Sequence, residues 1–162
     1  MAPVIFKNHL IFLAKPVDGG KKIAGEEIFG SHKTWRGLIT ATIVGGLFFS
    51  LEKLLIHTFP QLASWSPFDL SIVPWWFGFA FAAGAITGDL VKSFFKRRFR
   101  IPPGATWYPF DQIDFLLGAA LVASFYYTLT PIMWLLIIFI GSTLHIVVNH
   151  IAYWLKIKDS PW

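Results

Sequence analysis

The stretch from Gly88 to Phe115, GDLVKSFFKRRFRIPPGATWYPFDQIDF, decides how the chain is read. It sets three aspartates and five basic residues between two strongly apolar runs, where a membrane protein is expected to avoid charge. At about 100° per residue, Asp89, Ser93, Lys96 and Arg100 fall on one face if the helix that starts near Trp75 continues to Arg100. A carboxylate, a hydroxyl and two cations then line up. Beyond the Pro102-Pro103-Gly104 break, Asp111 and Asp114 stand three apart at the start of the next apolar run, so both carboxylates share one helical face. The pattern is that of a site for a metal and phosphates.

The rest of the chain says what kind of protein surrounds this site. Of its 162 residues, 55% are hydrophobic and 18% aromatic, and the mean hydropathy is +0.58. Ordinary soluble domains are about 45–50% apolar, so a polytopic membrane protein is expected. The net charge of +5 raises nucleic acid as a partner, but the basic residues alternate with apolar runs and form no continuous basic face. No nucleic-acid partner is expected. The absence of cysteine excludes disulfides, cysteine-ligated clusters and thiol catalysis. The first apolar run is short and lacks a small-residue cleavage site, so no signal peptide is expected.

Taken in order, the chain opens with PVIFKNHLIFLA, too brief to cross about 30 Å of hydrocarbon. A polar loop with Asp18-Gly19-Gly20-Lys21-Lys22 and FGSHKTWRG follows. Four transmembrane helices are then visible, at approximately 37–57, 74–95, 113–129 and 131–156, within one integral membrane domain covering 1–162. Six Lys and Arg precede Gly37, none lies from Thr58 to Pro74, five lie from Lys92 to Arg100 and two follow Trp154; Lys53 alone breaks the alternation. The positive-inside rule places the first segment, the Lys92–Gln112 loop and the carboxy-terminal tail in the cytoplasm. The chain is expected in the cell membrane, multi-pass, with its polar motifs on the cytoplasmic side.

Each motif has a structural alternative. Asp89 could simply pair with Lys92 or Lys96, and Asp111 and Asp114 could be helix N-terminal acids favoured by the macrodipole. Together, three convergent carboxylates suit Mg²⁺, which takes hard oxygen ligands and keeps waters for exchange with substrate phosphates. Lys96 and Arg97 can reach the aspartate side and are candidates for phosphate binding. Arg98 points away and reads as a topology signal or a contact with anionic membrane lipids. The run His32-Lys33-Thr34-Trp35-Arg36-Gly37 is either an interfacial anchor or a loop folding over a nucleotide, with Lys33 and Arg36 on phosphates and Trp35 as an aromatic face. In the last helix His145, Asn149, Tyr153 and Lys156 form a polar stripe, which interhelical hydrogen bonding explains equally well.

The motifs FGSHKTWRG, GDLVKSFFKRR, DQIDF and the Asn149-containing helix ending in KDSPW, in this order and spacing, resemble those of the CDP-archaeol synthases. These are small membrane cytidylyltransferases related to the CDP-diacylglycerol synthases. Ser93-Phe94-Phe95-Lys96-Arg97 and Asp111-Gln112-Ile113-Asp114 resemble elements of the wider superfamily. The resemblance implies an all-α fold with about five spans, a polar cavity open to the cytoplasm, and transfer of CMP from CTP to a lipid phosphate, the unsaturated bis-geranylgeranyl glycerol phosphate of archaea, giving CDP-archaeol and pyrophosphate. It places Asp89, Asp111 and Asp114 in the family's acidic, Mg²⁺-holding positions and Lys96 and Arg97 in its basic ones. Lys33, Trp35, Arg36, Ser93 and Asn149 are the further candidates for binding substrate.

Three departures accompany the resemblance. Ser31 stands where an acidic residue often precedes the histidine, so position 31 is given no role. The His-Gly-Gly and Asp-Arg-x-Asp signatures of the bacterial type do not occur, which favours the archaeal branch. Met1-Ala2-Pro3-Val4 resembles the end of a further helix, so the natural protein is expected to begin upstream. Three alternatives stay open: the same chemistry on an acyl lipid, giving CDP-diacylglycerol; a small membrane transporter or channel with Asp89 as its ion site; and a purely structural membrane subunit.

Overall fold

The computed structural model describes residues 11–66, 68–102 and 105–157. The expected upstream helix at Met1–Val4, the Pro103-Gly104 part of the break and the KDSPW end lie outside them. Four α-helices carry the described chain: α1 Trp35–Thr58, α2 Phe77–Arg98, α3 Phe110–Ala123 and α4 Pro131–Trp154. By length and apolarity, α1 and α4 qualify to cross a membrane. Their 24 residues each extend about 36 Å at 1.5 Å per residue.

The helix ends follow local chemistry. Thr34 and Thr130 are extended and accept, through their hydroxyls, the N–H groups of Gly37 and Met133, a cap worth about 1 kcal/mol each. Pro131 occupies the first turn of α4, where its missing N–H costs nothing. Helix α2 runs past the expected end near residue 95 but does not continue to Arg100, the condition for Arg100 to share the Asp89 face. The helix stops at Arg98, Arg100 turns to φ 55°, and the Ile101 N–H donates back to the Lys96 carbonyl at 2.9 Å. This six-to-one closure is a Schellman cap, and it takes Arg100 off the Asp89 face. The same closure, Ile157 N–H to the Ala152 carbonyl at 2.9 Å, ends α4 before Lys156 (φ 55°). Helix α3 begins three residues earlier than the 113–129 span and stops at Ala123, so Asp111 and Asp114 both lie inside it.

The polar amino-terminal loop adds a small element that the all-α expectation lacks. Strands β1 Lys22–Ile23 and β2 Glu26–Glu27 pair antiparallel around Ala24 (φ 53°) and Gly25 (φ 85°), the positive-φ pair of a tight hairpin turn. Arg98, expected to contact lipid or mark topology, instead donates through Nη2 to the carbonyls of Glu26 (3.2 Å) and Glu27 (2.7 Å). It fastens the hairpin to the end of α2.

The distribution of polarity is inverted relative to a water-soluble core. Among the described residues the buried polar set includes Thr40, Ser93, Lys96, Arg97, Gln112, Asp114 and Asn149, whereas Phe48, Leu135 and Phe139 are about 70% exposed. So large an apolar exterior is unstable in water and is stable against hydrocarbon. With no hydrophobic force between helices in lipid, association rests on close packing of small residues. Gly84 and Gly88, spaced as GxxxG, meet Gly118 of α3: a Cβ on Gly88 would overlap the Asp114 carbonyl, and one on Gly118 would overlap the Gly84 carbonyl. This backbone contact holds Asp89 of α2 beside Asp114 of α3.

Candidate active site

A cavity of about 460 Å³ opens between the amino-terminal loop, the carboxy-terminal half of α2, the start of α3 and the end of α4. Its wall includes Lys33, Asp89, Ser93, Lys96, Arg97, Asp111 and Asn149. Seven of the sequence candidates therefore come together from four parts of the chain. Asp114 stands behind this wall, joined to it through Lys92. Trp35, 45% exposed, and Arg36 are outside the lining; they begin α1, next to Lys33.

The centre of the site is Lys92, which the sequence reading treated only as a structural partner for Asp89. Its Nζ lies 3.0 Å from Asp89 Oδ1, 2.8 Å from Asp111 Oδ1 and 2.7 Å from Asp114 Oδ2. Two further lysines complete the balance. Lys33 pairs with the other oxygen of Asp89, and Lys96 sits 3.2 Å from Asp111 while also donating to the Ala105 carbonyl. Three carboxylates thus face three ammonium groups. The i,i+3 spacing of Asp89 and Lys92 was the available sequence signal; the pairing across to α3 was not, because it depends on the glycine crossing.

Backbone donors orient the acids. Asp111 Oδ2 accepts the Trp107 N–H at 2.6 Å and Asp114 Oδ1 that of Phe115 at 2.7 Å. The Ser93 hydroxyl donates to the Asp89 carbonyl one turn back at 2.7 Å, and the Asn149 amide donates to the His145 carbonyl at 2.9 Å. Two other buried groups keep capacity for a ligand. Arg97 Nε and Gln112 Oε1 have no hydrogen-bond partner among the described residues, and both side chains line the cavity. A buried donor or acceptor left unmade costs about 1–3 kcal/mol, so a bound ligand that completes them gains that amount.

Lys33 is delivered by a loop built on Asp18. The Asp18 carboxylate, 8% exposed, accepts N–H groups from Gly20 (2.9 Å), Phe29 (3.0 Å) and Gly30 (3.4 Å). Burial in this loop pushes the carboxyl pKa up, but the Phe29, Gly20 and Gly30 amides outweigh it and hold the group below its usual range. The Val17 N–H to Lys33 carbonyl bond (2.8 Å) and the Trp35 N–H to Lys15 carbonyl bond (3.0 Å) then pin Lys33 at the threshold of α1.

Three carboxylates converging within 3.0 Å of one ammonium offer the hard oxygen ligands Mg²⁺ requires. They ring Lys92 rather than one another, and no three acidic or histidine side chains among the described residues already enclose an ion position. The donors fit in type, and Lys92 marks where they stabilise positive charge.

With this geometry in hand, the chain was compared with known proteins. Residues 3–162 match the model of the CarS-like family, CDP-archaeol synthase. The chain belongs to that family. It is 34% identical to the CDP-archaeol synthase of Pyrobaculum aerophilum, covering 99% of this chain and 93% of that protein. It is 37% identical to the one of Archaeoglobus fulgidus, covering 91% and 84%. A solved structure of an intramembrane enzyme for archaeal membrane lipid biosynthesis superposes with a TM-score of 0.67 at 30% identity, covering 91% of this chain and 88% of that one. Family membership makes the chain a cytidylyltransferase-type membrane enzyme, so the cavity is the candidate active site of a CDP-archaeol synthase family member.

Proposed function

We propose that this family member transfers CMP from CTP to the bis-geranylgeranyl glycerol phosphate of archaeal membranes, within one membrane domain spanning 1–162. In this reading α1 to α4 all enter the cell membrane, and the cavity opens to the cytoplasm, where CTP is found. The alternation of basic segments along the chain supports that orientation. A phosphate oxygen of the lipid attacks the α-phosphorus of CTP, the α–β phosphoanhydride bond breaks, and pyrophosphate leaves. The products are CDP-archaeol and pyrophosphate.

The observation that carries the reading is the cluster of Asp89, Asp111 and Asp114 around Lys92, walled by Lys33, Lys96 and Arg97. Displacement at phosphorus asks a protein for positioning and charge neutralisation more than for covalent chemistry. Lys33, Lys96 and Arg97 bind and orient the triphosphate and the lipid phosphate, and Arg97 Nε finds its partner there. Asp89, Asp111 and Asp114 would hold Mg²⁺ once Lys92 swings toward the phosphates. When bound, the ion supplies further neutralisation of phosphate charge. Ser93 is spent on the Asp89 carbonyl and has a positioning role rather than a nucleophilic one.

The test is transfer of α-labelled CTP into the organic phase by membranes containing the protein, with Mg²⁺ and either the archaeal ether-lipid phosphate or phosphatidic acid. Label with the ether lipid alone is expected. Equal labelling of phosphatidic acid would move the assignment to CDP-diacylglycerol synthesis. No label with either substrate, for a folded protein, would sink the cytidylyltransferase assignment and bring the transporter alternative forward.

A further inference from the structure

A second concavity, of about 930 Å³, runs along the outer seam between α2 and α3. Its floor is the glycine crossing of Gly84, Gly88 and Gly118, where the two backbones touch. Its walls are hydrocarbon: Val91, Phe95, Leu117 and Leu121 are each more than one-third exposed. The Trp107 ring lies 5.6 Å from that of Phe99 and 4.5 Å from that of Phe110, closing one end.

Thr87, Lys92 and Asp114, three of the few polar side chains in this furrow, are already engaged. Thr87 donates its hydroxyl to the Ala83 carbonyl at 2.8 Å, and Lys92 and Asp114 are 2.7 Å apart in the ion-pair cluster. Lys92 lines both the charged cavity and the furrow. A long side chain of this kind offers its methylene stem to apolar surroundings while its head remains with charge. The partition between the triphosphate-sized polar cavity and an apolar trough is thus one residue thick. The Trp107 indole is the further polar side chain of the lining, at one end of the trough.

We infer that the α2–α3 furrow is the tail subsite of the lipid-phosphate substrate, seating one hydrocarbon chain while the phosphate lies at Lys92. The inference rests on the proposed cytidylyltransferase reading for the identity of the headgroup. The furrow faces outward, so the tail never leaves the apolar phase, and only the phosphate has to enter the charged cavity. This disposition selects an amphiphile whose anionic end is directly attached to its hydrocarbon. A membrane lipid lacking the phosphate has nothing to place at Lys92.

The decisive experiment is photo-crosslinking of the full chain in vesicles, using a glycerol diether phosphate with a diazirine in one tail. Adducts are expected at Val91, Leu117 or Leu121, competed by unlabelled lipid phosphate and not by the same diether without phosphate. Leu117→Trp and, separately, Val91→Trp fill the trough and are expected to raise KM for the long-chain substrate about tenfold, a 1.4 kcal/mol effect, with KM for CTP unchanged. Leu136→Trp on the outward face of α4 is the control. Adducts mapping to α1 or α4, or competition by the phosphate-free diether, would overturn the assignment. Adducts in the furrow without any CMP transfer would retain the tail subsite and remove the reaction, whereas transfer with adducts elsewhere would do the reverse.

Discussion

Lys92 Nζ lies 2.7 Å from Asp114 Oδ2, joining the middle of α2 to the start of α3 next to the point where their backbones touch. Lys92→Met keeps the stem and removes the charge. It leaves three carboxylates facing two lysines, and breaking a buried pair costs about 3–5 kcal/mol. Thermal unfolding in detergent is expected to show this loss, and Asp114→Asn added to Lys92→Met is expected to recover part of it. Strict additivity of the two changes would mean that the residues do not act as a pair.

Asp114→Asn alone is expected to abolish CMP transfer while the protein still inserts in membranes. It is also expected to remove the Mg²⁺-dependent part of the thermal shift produced by CTP. A fully active variant would defeat the metal assignment for all three acids, since Asp114 is the acid that α3 contributes most deeply, at 8% exposure.

The glycine crossing makes a contrasting pair of substitutions. Gly88→Ala drives a methyl into the Asp114 carbonyl and Gly118→Ala into that of Gly84; overpacking of this kind costs about 1–3 kcal/mol or more. Activity is expected to fall with stability, because separating the helices pulls Asp89 from Asp114. Gly19→Ala meets nothing within 4 Å and is strained only by its φ of 60°, at about 1 kcal/mol. Its CMP transfer is expected to remain near wild type.

Asp18 predicts an acid limit for the amino-terminal loop. Its folded pKa lies below the ordinary 3.8, so the ionised form is favoured by folding. The stabilisation is present above the unfolded pKa and is lost as pH falls through the folded one. Protection of the Phe29 and Gly30 amides from hydrogen exchange is expected to persist at neutral pH and to decline below about pH 4. In Asp18→Asn that protection is expected to be weak at every pH, with KM for CTP raised because Lys33 is no longer held. Unchanged protection in the variant would show that the loop does not depend on the carboxylate.

Much of this protein is written in local sequence. Apolar runs of helical length and charges placed where lipid forbids them announced a helical membrane protein with a polar centre. Asp89, Asp111, Asp114 and Lys96 were legible as candidates because a carboxylate or ammonium in such a setting must have a partner. The family was legible from the order and spacing of four motifs, and its archaeal branch from the missing bacterial-type signatures. Helix ends were less so: Arg100 leaves α2 because a six-to-one closure satisfies the last carbonyls, a geometry available to Arg although Gly is the usual residue there.

What only the tertiary structure decided is which charges meet. Lys92 became the hub because Gly84, Gly88 and Gly118 let two backbones approach until acids from different helices surround one ammonium. Arg98 became a tether for the hairpin, while Lys33 reached Asp89 from a loop organised 15 residues earlier by Asp18. Periodicity ranks residues along one helix, whereas ion pairing falls off over a few ångströms. The angle and distance between α2 and α3 therefore had to exist before the site could.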